Sequence, residues 1–309
     1  MRERLWGRRC RLTIVDSDLE PLDLTQLACS FSIEKQPGDF PDIARIEIRN
    51  LSPETRGRFK DQATIILEAG YEESGPRNGV VFRGTVMSFF NERDGPGEVT
   101  VLYAADGGRG YMNARCSVSL PAGSTLDQVV LAITEDWRKY GIAIPDSFPL
   151  LRNRRLSGPQ SYHGPIADAL REALDVYPEP FRFQILDERL LVYTAGGVPE
   201  REGPVHEVSA ERGMIGRPVV AIGRLEVTTL LNPAIKPLSL VSVKSAGPEV
   251  RVPATTAAFE GNLQIPSTDG TVPLRVIQVN HDGETRGKSW YTRLVAIIDE
   301  SVSQTAAAS

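Results

Sequence analysis

The chain has 309 residues, 41% hydrophobic and 24% charged, enough for two or three domains and close to ordinary globular composition. Its 35 basic and 40 acidic residues give a formal charge of −5, so no global positive field invites nucleic acid or an anionic membrane. The three cysteines, Cys10, Cys29 and Cys116, lack metal-ligand spacing and read as buried free thiols rather than a disulfide framework or zinc site.

In "MRERLWGRRCRLTIV" basic and apolar residues interleave, which leaves no continuous apolar region for a signal peptide. No apolar stretch approaches the roughly 20 residues a membrane-crossing helix needs, so no membrane insertion is expected and the chain should stay in the cytoplasm until something carries it out. Along the chain, "IARIEIRNLS" alternates Ile46 and Ile48 with Arg45, Glu47 and Arg49, the period of a strand with one wet face. "NLSPETRGRF" follows, with Ser52 as N-cap, Pro53 at the first helical position and Glu54 in the first turn of a short helix. "ATIILEAGY", "GVVFRGTVMSFF" and "EVTVLYAAD" then read as strands, the last two joined by the turn "NERDGPGE". Residues 1–106 therefore form a first β domain of antiparallel strands.

The texture changes over 107–205. In "AGSTLDQVVLAITEDWRKYG", Ser124 is placed to cap a helix whose Leu126, Val129, Val130, Ile133 and Trp137 share a face and which stops at Gly141. A second helix begins at Pro165 in "GPIADALREALDVY", and "FRFQILDERLLVYTAGG" reads as a hairpin turning at Asp187 and Glu188. This stretch is a small α+β domain. Strands return over 206–309 in "VVAIGRLEVTTLL", "LSLVSVKS", "VPLRVIQVNHDGE" and "SWYTRLVAII", with a long exposed loop expected between Ser245 and Val272 and a fraying tail "SVSQTAAAS".

The outer domains repeat one another. "IARIEIRNLSPETRGRFKDQATIILEAG" faces "IGRLEVTTLLNPAIKPLSLVSVKSAG", a strand, a bridge near a proline, a second strand and Ala-Gly in each. "FRGTVMSFFNERDGPGEVTVLYA" faces "LRVIQVNHDGETRGKSWYTRLVA", each a hairpin with a charged, Gly-containing loop. Antiparallel β proteins commonly alternate and turn at Gly and Pro, so the weight lies on the shared order rather than on any one phrase. The fold expected is mainly β, with two related tube-like antiparallel barrel or sandwich domains flanking the α+β insert. Two like domains per chain, closed by a threefold axis, would place six around a ring.

The phrases "IEIRNLSPETRGRF", "ILEAGY", "VFRGTV" and "YAADGG", then "RGMIGRPVV", "GRLEVTTLLNPAIKP" and "LRVIQVNHDGETRGKSWYTRLVA", resemble in order and spacing the baseplate hub proteins at the end of phage tails. The positions carrying the likeness include Asn50, Leu51, Ser52, Pro53, Gly70, Tyr71 and Gly84 in the first domain. In the last they include Asn232, Pro233, His281, Gly283, Gly287, Trp290 and Tyr291. The resemblance implies a homotrimer in the virion, assembled in the bacterial cytoplasm, that adapts a sixfold tail tube to a threefold spike. It implies as partners the tail tube protein, the cell-puncturing spike, the tape measure protein and baseplate wedge proteins, with DNA only in transit through a channel; because a basic wall would retain phosphates, that wall is expected to be neutral to acidic. The family usually carries Gly shortly after its "NP.I.P" phrase, where this chain has Leu238.

No catalysis or cofactor is expected. His163, His206 and His281 form no HExxH pair or Cys/His cluster, so a metal site is not expected. His281-Asp282 lacks a nucleophile phrase and fits a turn, in which Glu284, Arg286 and Lys288 would stay solvated. Glu72-Glu73 and Asp187-Glu188 are adjacent and so poorly placed to flank a glycosidic bond. "DGGRG" lacks the lysine and hydroxyl of a P-loop and reads as a linker, and "RNRR", from Arg152 to Arg155, as a solvated loop. Trp6 and Trp290 suit either a subunit interface or a core. Two other classes share parts of this pattern: the hub of a contractile bacteriocin or secretion-type injection device, and a cell-wall-degrading enzyme whose barrels bind carbohydrate.

Overall fold

The computed structural model describes residues 7–16, 20–57, 59, 62–71, 78–95, 97–179, 181–194, 204–221, 224–245, 249–250, 269 and 273–298. The first unit contains β1 (Arg8–Val15), β2 (Leu22–Asp23), β3 (Cys29–Lys35), β4 (Ile43–Arg49), helix α1 (Pro53–Gly57), β5 (Thr64–Tyr71), β6 (Asn78–Asp94) and β7 (Gly97–Ala105). Its strands lie in the order β3-β4-β7-β6-β5-β1-β2. Alternation buries Ile33, Ile46, Ile65, Leu67 and Leu102 completely in one core, each such side chain contributing on the order of 1.5–3 kcal/mol. Ser52 caps α1, its hydroxyl oxygen accepting the Thr55 N–H at 3.1 Å.

The middle unit holds α2 (Gly108–Asn113), β8 (Arg115–Leu120), α3 (Leu126–Thr134), β9 (Gln160–Pro165), α4 (Ile166–Asp175), β10 (Phe181–Leu186) and β11 (Arg189–Thr194) around its own core, with Trp137 fully buried. "DGGRG" is thus more than a linker: Gly107, in the left-handed region at φ 61°, opens α2. Thr125 rather than Ser124 caps α3, because Thr125 and Gln128 exchange side-chain-to-backbone hydrogen bonds in a capping box. Ser124 instead donates to the Pro121 carbonyl. Pro165 closes β9 and precedes α4 by one residue. The hairpin turn does fall at Asp187 and Glu188, both at positive φ.

The last unit contains β12 (His206–Ser209), β13 (Met214–Ala221), β14 (Arg224–Leu230), β15 (Leu240–Lys244), β16 (Glu249–Val250), β17 (Leu274–Glu284) and β18 (Trp290–Ile298). Most of the stretch from Ser245 to Val272, the Ala246-Gly247 pair and the tail from residue 299 lie outside the described residues.

Both outer units follow one strand path, β3-β4-β7-β6-β5 in the first and β13-β14-β18-β17-β15 in the last. They differ at the far edge, where β1 runs antiparallel to β5 but β12 parallel to β15. A one-residue bulge falls at the same place in each hairpin, after Val86 opposite Ala104 and after Val276 opposite Ala296. Val86 donates its N–H to the Ala63 carbonyl and accepts from Gln62; Val276 does the same with Ser239 and Leu238. Gln62 and Leu238 occupy the same left-handed conformation, φ 70° and 71°. Leu238, where the resemblance leads one to expect Gly, thus takes up the glycine geometry. The Asn50 N–H bonds the Glu98 carbonyl as Leu231 bonds Trp290.

With the bulge as landmark, Ile46 corresponds to Val227 rather than to Leu225, and Ile65 to Val241. The phrase alignment is therefore two residues out in the first strand and one residue out in the second. The first slip preserves the buried face and the second does not.

Left-handed backbone costs a non-glycine residue about 1–2 kcal/mol, against about 0.5–1 kcal/mol for glycine's extra freedom when unfolded. Gln62 is exposed, so Gln62→Gly should stabilise the protein by up to about 1 kcal/mol. Leu238 is 0% exposed, so there the lost burial dominates and Leu238→Gly should cost at least about 2 kcal/mol. Denaturant titration of the two variants should show opposite signs, and the same sign in both would contradict the shared strain.

Candidate functional site: the seam between the two barrels

The two barrel units meet as one sheet. β17 is shared between two partners: its first half bonds β15 of its own unit at Leu274 and Arg275, and its second half bonds β3 of the other unit. The seam runs antiparallel from Val279 opposite Lys35 to Glu284 opposite Ser30. Beneath it, Trp290 enters the first core, 1% exposed, edge-on to Phe31 at 5.7 Å and with the Arg8 guanidinium 5.5 Å from its ring centroid. Gly283 lies opposite Phe31, where an added Cβ would stand 2.2 Å from the ring, so only glycine lets the strands approach. Arg8 also donates to the Gly287 and Lys288 carbonyls, and Cys29 exchanges hydrogen bonds with Thr285. Glu284 is less solvated than the turn reading implies: its carboxylate accepts the Lys288 N–H at 3.0 Å.

A polar side-chain pairing repeats as well, exposed on one side in the first unit and buried in the last. Thr100 donates to the Asn91 side chain at 2.7 Å, and at the corresponding place Thr292 lies 2.9 Å from His281 Nδ1. The Thr292 hydroxyl oxygen also accepts the Asn232 N–H at 2.9 Å, which ties the β14–β15 connection to this pair. Burial, then the Lys35 and Lys236 charges, hold this imidazole neutral with its pKa down at about 3.

The structure gathers Asn50, Asn232, His281, Gly283, Gly287, Trp290 and Tyr291 on the seam and the strands beside it. Pro233 follows Asn232 and faces Gly79. Leu51, Ser52 and Pro53 lead from β4 into α1, while Gly70 and Tyr71 end β5 opposite Arg9 and Arg8. Gly84 lies where a Cβ would meet the Ala105 carbonyl of β7 at 2.5 Å. Trp6 lies outside the described residues.

Above the core, a polar sheet face crosses the seam without interruption. Arg45 pairs with Glu47, Arg293 with Asp282 at 2.7 Å and Arg224 with Glu226 at 3.4 Å, while Ser32 donates to Asp282 across the seam. Arg49 pairs with Asp94. Glu34, Glu284 and Glu92 lie on the same face near the seam, and Arg83, Arg9 and Arg11 farther along it, so the face carries both charges in near balance. Two shallow grooves lie along the seam, lined by Ser30, Glu47, Asp282 and Glu284 among others.

Where the three units meet, a charged junction lies at the end of β3. Lys35, 3% exposed, reaches Asp187 at 3.2 Å, and Lys236 reaches the other oxygen of Asp187 at 2.6 Å. Asp106 accepts the Asp187 and Glu188 N–H groups, which fixes the β10–β11 turn against the first barrel. Burial works against ionising Asp187, but Lys35 and then Lys236 outweigh it and hold its pKa at about 2. Burial raises Asp42 to about 8 and Asp106 to about 7, with Lys35 opposing both shifts. One signal of this junction was present in the sequence: Lys35 shares the inward parity of Phe31 and Ile33 in "CSFSIEK". Asp42, Asp106 and Lys236 gave none.

Gly283→Ala should destabilise by about 1–3 kcal/mol through overpacking against Phe31, and Phe31→Leu in the same chain should recover part of that loss in denaturant titration. The folded state binds protons at Asp42 and Asp106 that the unfolded chain has released, so their contribution to stability is present below the unfolded carboxylate pKa and lost as pH rises through about 7–8. His281 acts oppositely: with its pKa lowered to about 3, its contribution is fully present above about pH 6.5, is lost as pH falls through about 3, and is constant at higher pH. Between pH 6.5 and 8.5 the melting temperature should therefore fall, and Asp42→Asn should flatten the decline. A flat wild-type profile over that range would contradict the assignment.

No protein-family model matches the sequence, and no curated protein matches it. Solved structures do. A tail protein from Neisseria meningitidis MC58 superposes with TM-score 0.58 at 9% identity over 96% of this chain and 98% of that one. The 43 kDa tail protein of prophage MuSo2 from Shewanella oneidensis gives 0.54 at 9% identity, covering 94% and 97%. An E. coli component of the type VI secretion system, described as structurally similar to the T4 bacteriophage tail proteins gp27 and gp5, gives 0.53 at 11% identity, covering 93% and 76%. Over these spans the chain shares the fold of these tail proteins.

Proposed function

We propose that the chain is a structural hub of a phage tail, three copies of which present six like barrels in a ring between a sixfold tube and a threefold spike. The observation that carries this reading is the duplicated barrel joined edge to edge: one strand path, one bulge and one set of backbone bonds appear twice, linked by β3 and β17 into a single sheet. A heterologous contact of this kind closes into a ring when repeated at a fixed rotation. In this reading the middle units, one per chain, mark the threefold symmetry, and the polar face, in which acids and arginines alternate, lines the channel. Such a wall would let the tape measure protein and then DNA pass without retaining phosphates. Tube, spike and wedge proteins are the partners, and the chain itself performs no catalytic step. The likeness to a type VI secretion component supports a second reading, the hub of an injection device that carries no DNA.

Light scattering of the purified chain should give three times its 33.9 kDa mass. A particle of two or four chains would contradict the ring.

A further inference from the structure

Cys10 and Cys29 are free thiols that the fold brings together. Cys10 shares the inward parity of Leu12 and Ile14 on β1, and Cys29 that of Phe31 and Ile33 on β3, so both sulfurs turn toward the first core. They stand 3.7 Å apart. β1 and β3 are not neighbours in the sheet: they end the path β3-β4-β7-β6-β5-β1, and among the described residues no backbone ladder joins them. On this side the barrel is closed by side chains, among them Arg8, which reaches the Gly287 and Lys288 carbonyls. Cys116 packs against the core of the middle unit, its sulfur 3.9 Å from the Tyr162 carbonyl oxygen, and so competes for neither partner.

We propose that Cys10 and Cys29 are a redox pair, kept as thiols in a reducing medium and joined in an oxidising one, and that their disulfide closes the first barrel covalently between its two end strands. A disulfide is about 2.05 Å long, so the sulfurs have roughly 1.7 Å to travel from 3.7 Å, a movement on the scale of side-chain rotation rather than refolding. Cys29 is 6% exposed but Cys10 is half-buried, so a small oxidant reaches the pair at Cys10. With a low-molecular-weight disulfide as oxidant, the Cys10 sulfur displaces one half of it and forms a mixed disulfide, and the Cys29 sulfur then displaces the other half. One protein S–S bond forms and the reagent's S–S bond breaks, while the two electrons and two protons lost by the cysteines leave with two small thiols. The link joins residues 19 positions apart, which restricts the unfolded chain. It also ties β1 to the strand that carries the seam, where Cys29 exchanges hydrogen bonds with Thr285.

The experiment treats the folded chain carrying Cys116→Ser with oxidised glutathione, then counts remaining thiols by intact mass after maleimide labelling in denaturant. Both thiols should be lost without a glutathione adduct, and peptide mapping should recover Cys10 linked to Cys29 within one chain. The melting temperature should rise by at least about 3 °C and return on adding dithiothreitol. Cys10→Ser in the same background should abolish the rise and leave Cys29 open to the label. The wild type, mapped in parallel, should yield the same linked peptide, so the result does not hang on how the variants fold. A stable glutathione adduct on Cys10, or two unreacted thiols in the folded chain under conditions that link them in urea, would overturn the pair. A linked pair with an unchanged or lowered melting temperature would overturn the closure.

Discussion

Strand edges govern this molecule. A β-strand at the end of a sheet exposes a row of backbone donors and acceptors that must be bonded or covered, and antiparallel pairing satisfies them with directionality and register. β17 divides its outer edge between β15, which completes its own barrel, and β3, which recruits the other. The two barrels are thereby fixed in one orientation by backbone bonds rather than by adaptable side chains. Side chains then lock the register: Gly283 leaves room for Phe31, and Trp290 fills the neighbouring core from across the boundary.

The charged junction has a different role. Lys35 and Lys236, from opposite barrels, converge on the single carboxylate of Asp187, which sits on the turn of the middle unit. Buried charges are poor sources of net stability, because their desolvation offsets their attraction, but they penalise any arrangement that separates them. Here separation would strand Lys35, which is almost wholly buried. The junction therefore specifies how three independently cored units sit together, while the hydrophobic cores supply most of the folding free energy.

Much of the fold was legible from residue patterns alone. Alternation located the strands, Ser52 and Pro53 located α1, and the order of elements revealed the duplication. What escaped was register, since a period of two makes a two-residue slip invisible: Ile46 and Leu225 look equivalent by wording, but the bulge pairs Ile46 with Val227. Capping escaped by one residue, because Ser124 and Thr125 are both competent and only the reciprocal bond with Gln128 decides between them. The left-handed Gln62 had no sequence signal, since its conformation is imposed by the Val86 bonds on either side. The seam itself was not legible: it joins residues about 250 apart, and only the folded chain brings Gly283 to Phe31.

Electron microscopy of the particle the chain assembles into, averaged end-on without imposed symmetry, tests the proposed ring most directly. The account predicts six barrel densities at one radius and one height, with middle units attached at three alternate positions. Barrel densities at two radii or two heights, three to each, would mean that the duplicated units are not interchangeable around the axis, and would contradict it.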